Sequence, residues 1–390
     1  MTLNDFTKYG EPVKNLSRIK DLLNELGNPQ DSLKFVHIAG TNGKGSVLEF
    51  SSQALINAGY KVGQFTSPFN IVFEDRIRIN GKHISPENFS RLFESLEPAI
   101  KHFKYSQFEI IFAVALLYFK EQECDLVFLE TGIGGVLDCT NVVENKLVTA
   151  FTSISKDHME ILGKTIREIA RQKSGIIRKG VPVVISEQQY EEAGEIIRDI
   201  ALEKDCKVWD SNVSLPILTS FKLRMAASYQ NMNSKVALQV IHCLIEQGYN
   251  VTFEHIKKSF EKIQLPSRLE TFSSDPWIII DGAHNLDGML KLSAEFKTKE
   301  KYKEFTVIFG VQKTKEYGAM CELLQVFAKN IIIVDDFYDF ACKYKTLKEC
   351  FTIGTIHKKA SESLDYALEI NNKVLICGSL YLRAAVLHSS

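Results

Sequence analysis

The stretch Phe35 to Ser46, FVHIAGTNGKGS, decides the fold of the chain. An apolar run typical of a buried strand ends in a turn of glycine, lysine and serine, and a helix-like segment follows directly. The turn follows the pattern of phosphate-binding loops, with a shorter spacer than usual. Glycines let backbone amides approach an anion, the helix N-terminus adds positive potential, and Lys44 supplies a point charge. The stretch therefore predicts a phosphate site, although glycine-rich turns also join strands to helices where no phosphate binds.

The length of the chain predicts more than one domain. At 390 residues it exceeds what one hydrophobic core usually organises. The run Leu265-Pro266-Ser267-Arg268 interrupts helical periodicity just before a new strand pattern. We therefore predict a first, nucleotide-binding domain at 1–266 and a second domain at 267–390.

Composition and charge narrow the range of possible binding partners and cellular compartments. A net charge of −1, with both signs evenly scattered, provides no field that would recruit nucleic acid or an anionic membrane. The eight cysteines form no CxxC pair and lie mostly in apolar runs, as reduced core thiols do. The N-terminal MTLNDFTKYG lacks the blocks of a secretory signal, and no long uncharged apolar run occurs. We expect a cytoplasmic monomer that acts on small molecules.

Strand and helix patterns alternate along both parts of the chain. This predicts an α/β protein: a doubly wound, mostly parallel sheet of the P-loop type, followed by a smaller, Rossmann-like α/β domain. Predicted strands are 35–39, 62–66, 125–130, 147–153, 181–185, 277–281, 305–310, 330–335 and 373–377, with a hairpin at 76–81. Predicted helices are 14–26, 44–58, 86–102, 107–121, 166–173, 189–204, 228–247, 252–263, 286–297, 316–328 and 359–370. Residues 67–75 are predicted to be irregular, and 206–227 are ambiguous.

Polar side chains follow several strands of the first domain, where doubly wound sheets bind their ligands. They are Ser67, Glu130 and the pair Asp157-His158. A nucleoside triphosphate needs a divalent cation, and the hard oxygens of Glu130 with a hydroxyl of Ser46 or Ser67 suit Mg²⁺. His158 is a softer ligand, and a capping or core-edge histidine explains it equally well.

Other candidates are weaker on sequence alone. Lys173 is one lysine among several in RQKSGIIRKG, and its default interpretation is a solvated helix charge. In the second domain a strong apolar strand ends in Asp281, and His284 follows it, both placed to meet a ligand. Arg268, at the predicted boundary, has the reach of a phosphate ligand, although a lone linker arginine is usually solvated.

Taken together, these motifs resemble the folylpolyglutamate synthase and dihydrofolate synthase family, part of the Mur ligase superfamily. The resemblance runs nearly end to end. The motifs that carry it, in order, are LGNPQ (26–30), HIAGTNGKGSV (37–47), FTSP (65–68), RIRING (76–81), ETGIGGVLDCTNV (130–142), KDHMEILGKTI (156–166), KSGII (173–177), SRLE (267–270), DGAHN (281–285) and GSLYL (378–382).

The resemblance implies a reaction. ATP phosphorylates the terminal carboxylate of a folate, and the amino group of L-glutamate attacks the acyl phosphate to form an amide. Lys44 and the loop amides would hold the transferring phosphate. By similarity, Ser67, Glu130 and His158 are magnesium ligands, and Lys173 is carbamylated, so that an ammonium becomes an anion. The implied catalytic residues are Lys44, Glu130, His158 and Lys173, and a monovalent cation is a further implied cofactor.

The resemblance also assigns binding residues. ATP contacts fall to Thr41, Asn42, Gly43, Lys44, Gly45, Ser46, Asn233, Arg268, Asp281 and His284, the last of which lies near the phosphates or the entering glutamate. The pterin end of the folate would lie against Gln107, Phe108, Glu109, Leu137, Asp138 and Cys139, because an aromatic ring beside acidic and amide groups suits a flat, hydrogen-bonding heterocycle.

The chain departs from the family pattern near the expected folate pocket. Phe69-Asn70 stand where His-Leu is common, Val136 stands for arginine, and Cys139 stands for alanine. No departure removes a predicted phosphate or metal ligand, so the question they raise is whether dihydropteroate is also an acceptor. Two alternatives remain open: a Mur-type amino-acid ligase with another carboxylate acceptor, and a non-catalytic P-loop nucleotide-binding protein.

Overall fold

A computed structural model describes residues 15–68, 73–100, 105–212, 222–225 and 227–387. The chain divides into two compact units. The first comprises Met1–Lys222 and Met232–Ile263, and the second comprises Leu223–Asn231 and Gln264–Ser390. The short segment 223–231 therefore belongs with the second unit, although it lies far from the rest of that unit in sequence.

The first unit is built on an eight-stranded sheet. Its strands are β1 (Phe35–Ala39), β2 (Val62–Phe65), β3 (Ile77–Ile79), β4 (Lys82–His83), β5 (Leu126–Glu130), β6 (Lys146–Phe151), β7 (Val183–Ile185) and β8 (Val208–Asp210). They lie in the order β4-β3-β2-β5-β1-β6-β7-β8. The strands from β2 to β8 in that order run parallel, whereas β3 and β4 form an antiparallel hairpin at one edge.

Helices cover this sheet. They are α1 (Ser17–Glu25), α2 (Lys44–Asn57), α3 (Pro86–Ser95), α4 (Glu97–Ile100), α5 (Gln107–Glu121), α6 (Met159–Leu162), α7 (Ile166–Ser174), α8 (Glu191–Glu203), α9 (Tyr229–Glu246), whose first three residues belong to the second unit, and α10 (Phe253–Lys262). All five residues of β1 are buried, as expected of a parallel strand covered on both faces. Capping boxes at Ser106 and Thr165 fix where α5 and α7 begin.

The second unit has a six-stranded sheet. Its strands are β9 (Glu270–Ser274), β10 (Trp277–Ile280), β11 (Phe305–Phe309), β12 (Ala328–Ile333), β13 (Thr355–His357) and β14 (Lys373–Cys377), in the order β13-β12-β11-β14-β10-β9. Its helices are α11 (Leu286–Thr298), α12 (Tyr317–Leu324), α13 (Tyr344–Lys348), α14 (Ala360–Ile370) and α15 (Leu380–Leu387). Only β9 pairs antiparallel to its neighbour among these described strands.

Alternate residues of these strands enter two different cores. Ile279, Val307 and Leu375 pack in one hydrophobic cluster, whereas their neighbours Ile278, Ile308 and Val374 pack in another. Successive side chains of a strand point to opposite faces, so both faces of this sheet are covered. The architecture confirms the predicted fold class of two α/β domains with mostly parallel sheets.

Several local predictions need correction. The helix predicted at 86–102 is two helices, α3 and α4, and residues 101–104 lie outside the described part. The helix predicted at 316–328 ends at Leu324, because β12 already begins at Ala328. Within the stretch predicted to be irregular, Phe73–Arg76 form a 3-10 helix, while Phe69 and Asn70 lie outside the described residues. Of the ambiguous positions 206–227, the described part contains β8, whereas 213–221 and 226 lie outside it, as does the N-terminal MTLNDFTKYG.

The state of the cysteines and the character of the helices are also described by the structure. All eight cysteines fall in described segments and are free thiols, six of them buried, as their apolar surroundings predict. Across the described helices, none combines the length and the apolar character that crossing a membrane requires.

Candidate functional site

At two positions of the loop after β1, only glycine fits both the backbone conformation and the surrounding space. At Gly40, with φ of 148°, a Cβ atom would lie 1.8 Å from Oγ1 of Thr152. At Gly43, with φ of 95°, a Cβ would lie 2.3 Å from Oδ1 of Asn233. Gly43 is also the residue that precedes α2, so the loop leads its amides directly into the helix N-terminus. The loop therefore has the cradle form that the sequence predicts, and Asn233 lies against it.

Lys44 folds back over this loop. Its Nζ donates to the carbonyl oxygens of Gly40 and Thr41, both at 3.2 Å, and lies 3.7 Å from Oε1 of Glu130. Thr41 is itself fastened to the segment after β6, because its amide donates to the Ser153 carbonyl at 2.8 Å. Its hydroxyl donates to the carbonyl of Ser155 at 3.1 Å. The ammonium is thus held inside the loop by two of its carbonyl oxygens.

Glu130 and Ser67 come together at the carboxyl edge of the first sheet. The amide of Ser67 donates to Oε2 of Glu130 at 3.4 Å, and a Cβ on Gly45 would lie 3.6 Å from the same oxygen. Arg76 donates to the Ser67 hydroxyl at 3.2 Å. Ser46, in the first turn of α2, has a buried hydroxyl without a hydrogen-bond partner among the described residues. This collection of oxygens suits a hard cation.

His158 lies beside two carboxylates. It precedes α6 in a left-handed conformation, with φ of 49°. Its Nε2 is 4.0 Å from Oδ2 of Asp157, and its Nδ1 is 3.9 Å from Oε1 of Glu160. Within the described segments, no three His, Cys, Asp or Glu side chains converge as a metal site. The structure thus brings Ser67 and Glu130 together, and it places His158 near Asp157 and Glu160.

Lys173 is buried beneath the phosphate loop and is not a solvated helix charge. Its Nζ donates to the carbonyl oxygen of Gly40 at 2.8 Å, and the side chain is 5% exposed. Burial, and next the nearby Lys44 ammonium, lower the pKa of the Lys173 amine to about 7. The default sequence interpretation of this residue is therefore wrong, because tertiary packing turns this face of α7 inward.

The residues expected to contact folate form a cluster around the start of α5 and the turn after β5. Phe108 and Asp138 flank Gly132, whose Cβ would lie 2.7 Å from the Phe108 ring and 3.2 Å from the Asp138 carboxylate. Burial, followed by the Asp138 and Glu109 charges, raises the pKa of the Cys139 thiol well above its usual value. Gln107 begins α5, and Leu137 is 40% exposed.

Two members of this cluster already have structural partners. Glu109 completes the Ser106 capping box and accepts from Arg18 at 2.9 and 2.7 Å. Asp138 accepts from the Thr140 hydroxyl at 2.5 Å and from the Ile133 amide at 2.8 Å. Burial raises the pKa of Asp138, and these hydrogen bonds oppose the rise. Any folate contact of either carboxylate therefore competes with an internal hydrogen bond.

A buried histidine that sequence reasoning missed links β1 to this cluster. His37 Nε2 lies 2.9 Å from the hydroxyl of Thr140, which in turn donates to Asp138. Burial, then the nearby cations of Lys146 and Arg178, hold the pKa of His37 well below its usual value. Because the Thr140 hydroxyl donates its proton to Asp138, we assign Nε2 of the neutral ring as the donor to the Thr140 oxygen. The only sequence signal was a polar residue inside an otherwise apolar strand.

In the second unit, Asp281 is the centre of a hydrogen-bonded turn. Its Oδ2 accepts from the Tyr229 hydroxyl and the Leu269 amide, both at 2.8 Å, and its Oδ1 accepts from the Ala283 amide at 2.9 Å. Burial raises the pKa of Asp281, and the Tyr229 hydrogen bond opposes that rise. Tyr229 was missed by sequence reasoning, because nothing local marks it as a partner of a residue so distant in the chain.

Arg268 and His284 lie beside this turn. A Cβ on Gly282 would lie 2.7 Å from an Arg268 guanidinium nitrogen, and Nδ1 of His284 lies 2.8 Å from the Gly282 carbonyl. The structure therefore groups Arg268, Asp281 and His284 around one turn of the second unit. Thr41, Asn42, Gly43, Lys44, Gly45, Ser46 and Asn233 form a separate group in the first unit.

Comparison with known proteins gives concordant matches. Residues 38–242 match the Mur ligase middle domain. A dihydrofolate synthase/folylpolyglutamate synthase of Bacillus subtilis (strain 168) is 35% identical over 403 aligned residues, covering 94% of this chain and 92% of the relative. The folylpolyglutamate synthase of Lacticaseibacillus casei is 31% identical, covering 95% and 92%. The structure of E. coli FolC in complex with DHPP and ADP superposes with a TM-score of 0.86 at 26% identity, covering 96% and 92%.

Proposed function

This chain belongs to the folylpolyglutamate synthase and dihydrofolate synthase family of Mur ligases, and we propose that it uses ATP to join L-glutamate to the γ-carboxylate of tetrahydrofolates. It is an ATP-dependent acid–amino-acid ligase. The observation that carries the proposal is the grouping of the phosphate loop, Glu130, Ser67 and Lys173 at one edge of the first sheet. Dihydropteroate is the second acceptor we propose, since the B. subtilis relative carries both activities in its name.

The phosphate loop supports the ATP assignment. Backbone amides from Thr41 to Ser46 lead into the N-terminus of α2, and Lys44 is already held within the loop. Such amides and a lysine stabilise the charge that spreads over a transferring phosphoryl group. We propose that Lys44 leaves the carbonyls of Gly40 and Thr41 for the β- and γ-phosphate oxygens. Asn233, which lies against Gly43, would help to fix the loop around the nucleotide.

The residues around the loop also fit magnesium. Glu130, Ser67 and Ser46, whose hydroxyl has no partner in the described part of the chain, offer hard oxygens, the ligands that Mg²⁺ prefers. Bound there, the ion would neutralise the triphosphate and polarise the transferring phosphate. His158 is our third proposed protein ligand, by similarity to the family. Its ring nitrogens lie 4.0 Å from Asp157 and 3.9 Å from Glu160, so metal binding would require the ring to turn from these carboxylates toward the ion. A monovalent cation stays a prediction.

Lys173 has the properties that carbamylation requires. Only a neutral amine attacks carbon dioxide, and a pKa of about 7 leaves a large neutral fraction at physiological pH. The amine would gain a carboxylate and release a proton. The resulting anion would stand below the phosphate loop, where its charge attracts Lys44 and any cation held by the loop. We propose this modified form as the active one.

We propose the cluster at the start of α5 as the folate subsite. Phe108 offers a ring face, supported by its 5.6 Å centroid contact with Phe65, and Leu137 adds exposed apolar surface. Gln107, Glu109, Asp138 and Cys139 complete the set. In the second unit, Arg268, Asp281 and His284 are proposed contacts for ATP and for the entering glutamate, because they surround one turn that carries a guanidinium and an imidazole.

One assay tests the proposal directly. The protein is incubated with ATP, Mg²⁺ and labelled glutamate, separately with tetrahydrofolate and with dihydropteroate, and both ADP release and incorporated label are measured. We expect ADP release to depend on the acceptor and to match incorporation. No incorporation on either folate, with turnover on another carboxylate, would instead establish a different Mur-type ligase. Acceptor-independent nucleotide binding without turnover would indicate a binding protein.

A lysine pair provides the matched variants. Lys44→Ala should lower the turnover rate about 100-fold or more without unfolding the protein, since the side chain stabilises charge on the transferred phosphate. Lys34→Ala, at an exposed lysine just before β1, should leave turnover unchanged. Full activity of Lys44→Ala would refute our assignment of the loop.

Size-exclusion chromatography with light scattering checks the predicted monomer.

A further inference from the structure

A buried chain of hydrogen bonds runs from the central strand β1 to Asp138, one of the proposed folate contacts. Nε2 of His37 lies 2.9 Å from the Thr140 hydroxyl, and this hydroxyl donates to Oδ1 of Asp138 at 2.5 Å. His37 and Thr140 are fully buried, and Asp138 is 5% exposed. Because water has no access to His37 and Thr140, the two hydrogen bonds persist and hold the Asp138 carboxylate in one orientation.

The Thr140 hydroxyl does more than complete a helix cap. Asp138 precedes the 3-10 helix Cys139–Val142, and its Oδ1 accepts from the Thr140 amide at 3.0 Å, as the side chain of an N-cap residue does. That bond alone completes the cap. The Thr140 hydroxyl adds a second bond to the same oxygen, and His37, 103 residues earlier in sequence, orients the hydroxyl. Local capping therefore does not explain the hydroxyl or the histidine.

His37 is a costly residue in β1 because one of its ring nitrogens stays unsatisfied. All five residues of the strand are buried, and the other four are apolar. Nδ1 of His37 has no hydrogen-bond partner in the part of the chain that the structure describes. A buried polar atom without a partner lowers the free energy of unfolding, and an apolar side chain would avoid that loss. The compensating contribution of the ring is its Nε2 proton, which occupies the Thr140 oxygen and leaves the hydroxyl proton for Asp138.

The orientation of the Asp138 carboxylate decides which of its oxygens faces the proposed folate subsite. Oδ1 accepts both bonds from Thr140, and Oδ2 accepts from the Ile133 amide at 2.8 Å. A Cβ added to Gly132 would lie 3.2 Å from Oδ2 and 2.7 Å from the Phe108 ring, so Oδ2 and this ring border the same space. A carboxylate oxygen has two lone pairs, so N–H groups at the edge of a heterocycle stacked on Phe108 would share Oδ2 with the Ile133 amide.

We propose that Thr140 and His37 are positioning residues for the folate subsite. His37 directs the Thr140 hydroxyl at Oδ1 of Asp138, and Oδ2 is thereby kept facing the space beside the Phe108 ring, where it accepts from N–H groups of the bound heterocycle. Both positioning residues are buried behind the carboxylate and act through it. The inference rests on the proposed function, and it adds that affinity for the heterocycle depends on a histidine and a hydroxyl behind the subsite.

Thr140→Val tests the chain, because it removes the hydroxyl and keeps the shape of the side chain. We expect the KM for tetrahydrofolate to rise about tenfold, with kcat and the KM for ATP within about twofold of the wild type, since the lost orientation weakens binding of the heterocycle alone. Thr140→Ser restores the hydroxyl and should return the KM to within about twofold of the wild type. His37→Phe should raise the same KM about threefold, because the hydroxyl remains but is no longer directed. Initial rates of ADP release at varied folate and ATP give these constants.

Thr149 provides the matched control. It is a second fully buried threonine, it pairs with His37 in the neighbouring strand β6, and its hydroxyl has no partner among the described residues. Thr149→Val should therefore leave all three constants unchanged. Thermal unfolding establishes that each variant is folded in the assay, and if His37→Phe is not, the two Thr140 variants still decide.

An unchanged KM for tetrahydrofolate in Thr140→Val, with folate turnover by the wild type, would overturn this inference and leave the proposed function intact. Equal increases in the KM for tetrahydrofolate and for ATP, or a KM that Thr140→Ser does not restore, would show a general structural role and also overturn it. No folate turnover by the wild type would overturn the proposed function and this inference together.

Discussion

Lys44 and Lys173 donate hydrogen bonds to the same oxygen, the carbonyl of Gly40, at 3.2 and 2.8 Å. Two ammonium groups on one acceptor repel each other, and Lys173 is buried while Lys44 is closer to solvent. Lys173 is therefore the one that gives up its proton. With a pKa of about 7, a large fraction of the Lys173 amine is neutral near pH 7 and is chemically available for modification.

Chemical rescue distinguishes a carbamylated Lys173 from a charged one. Lys173→Ala should lower kcat by about 100-fold or more, because it removes a charge beside the reacting phosphate. If the active form is the carbamate, acetate or formate should restore activity by about tenfold, since a small carboxylate replaces the lost anion. Steady-state ADP release with and without each additive measures this.

A control on the same helix separates the site from α7 as a whole. Arg171→Ala changes an exposed cation two residues away and should neither lose activity nor respond to acetate. Rescue of Lys173→Ala by methylamine, with no response to carboxylates, would mean that the lysine acts as an ammonium. Mass analysis in bicarbonate buffer provides a second readout at Lys173.

Gly43 and Gly180 form a matched pair for the phosphate loop. Both have a positive φ, 95° and 72°, so alanine costs about 1 kcal/mol of backbone strain at either site. Only Gly43 has a neighbour in the way, namely Asn233 Oδ1 at 2.3 Å from the added Cβ, whereas Gly180 faces open space. We expect Gly43→Ala to weaken nucleotide binding by at least about tenfold.

Isothermal titration with ADP measures the comparison. Gly180→Ala should bind ADP as the wild type does, with only a slightly lower unfolding temperature. Equal ADP affinity in both variants would show that the contact of Gly43 with Asn233 has no part in shaping the loop. In the double variant Gly43→Ala with Asn233→Ala the clash is gone but the backbone strain at position 43 remains, so the single variant Asn233→Ala is measured beside it to give the contribution of Asn233 itself.

Lys146 should make the stability of the protein pH-dependent. Its Nζ is buried and donates to Oδ1 of Asn141 and the carbonyl of Ile176, and burial lowers the pKa of the amine to about 6 from 10.5. Between these values the unfolded chain carries the proton that the folded chain lacks, so the free energy of unfolding rises with pH. The slope from one such group approaches about 1.4 kcal/mol per pH unit, and below pH of about 6 it vanishes.

Denaturant unfolding at pH 6.5 to 9.5 checks this sign. Lys146→Met should reduce the slope by about one proton, since no titrating amine remains at the site. Lys179→Met, at an exposed lysine, is the control and should keep the wild-type slope. Lys173 contributes a slope of the same sign, so the variant should flatten the dependence without abolishing it. An unchanged slope in Lys146→Met would mean that the amine stays charged in the folded protein.

Sequence patterns predicted the buried central strands and the β3–β4 hairpin at one edge, but they missed the edge strands β8, β9 and β13. The strands β1, β5, β11 and β14 are mostly apolar, and burial on both faces of a parallel sheet explains why the pattern was sufficient. By contrast β8, β9 and β13 are mostly exposed or half-buried and carry no clear alternation. Their conformation comes from pairing with a neighbouring strand, and the periodicity of a single sequence does not reveal such pairing.

By itself, the sequence determined the phosphate loop, the alternation of strands and helices, and the order of family motifs from 26 to 382, because these depend on local spacing and burial pattern. Only the tertiary structure decided that Lys173 lies beneath Gly40, that His158 pairs with Asp157 and Glu160, and that Asp281 meets Tyr229. The reason is topological. Placing β1 between β5 and β6 brings together segments far apart in sequence, and the burial that follows shifts the charge of Lys173.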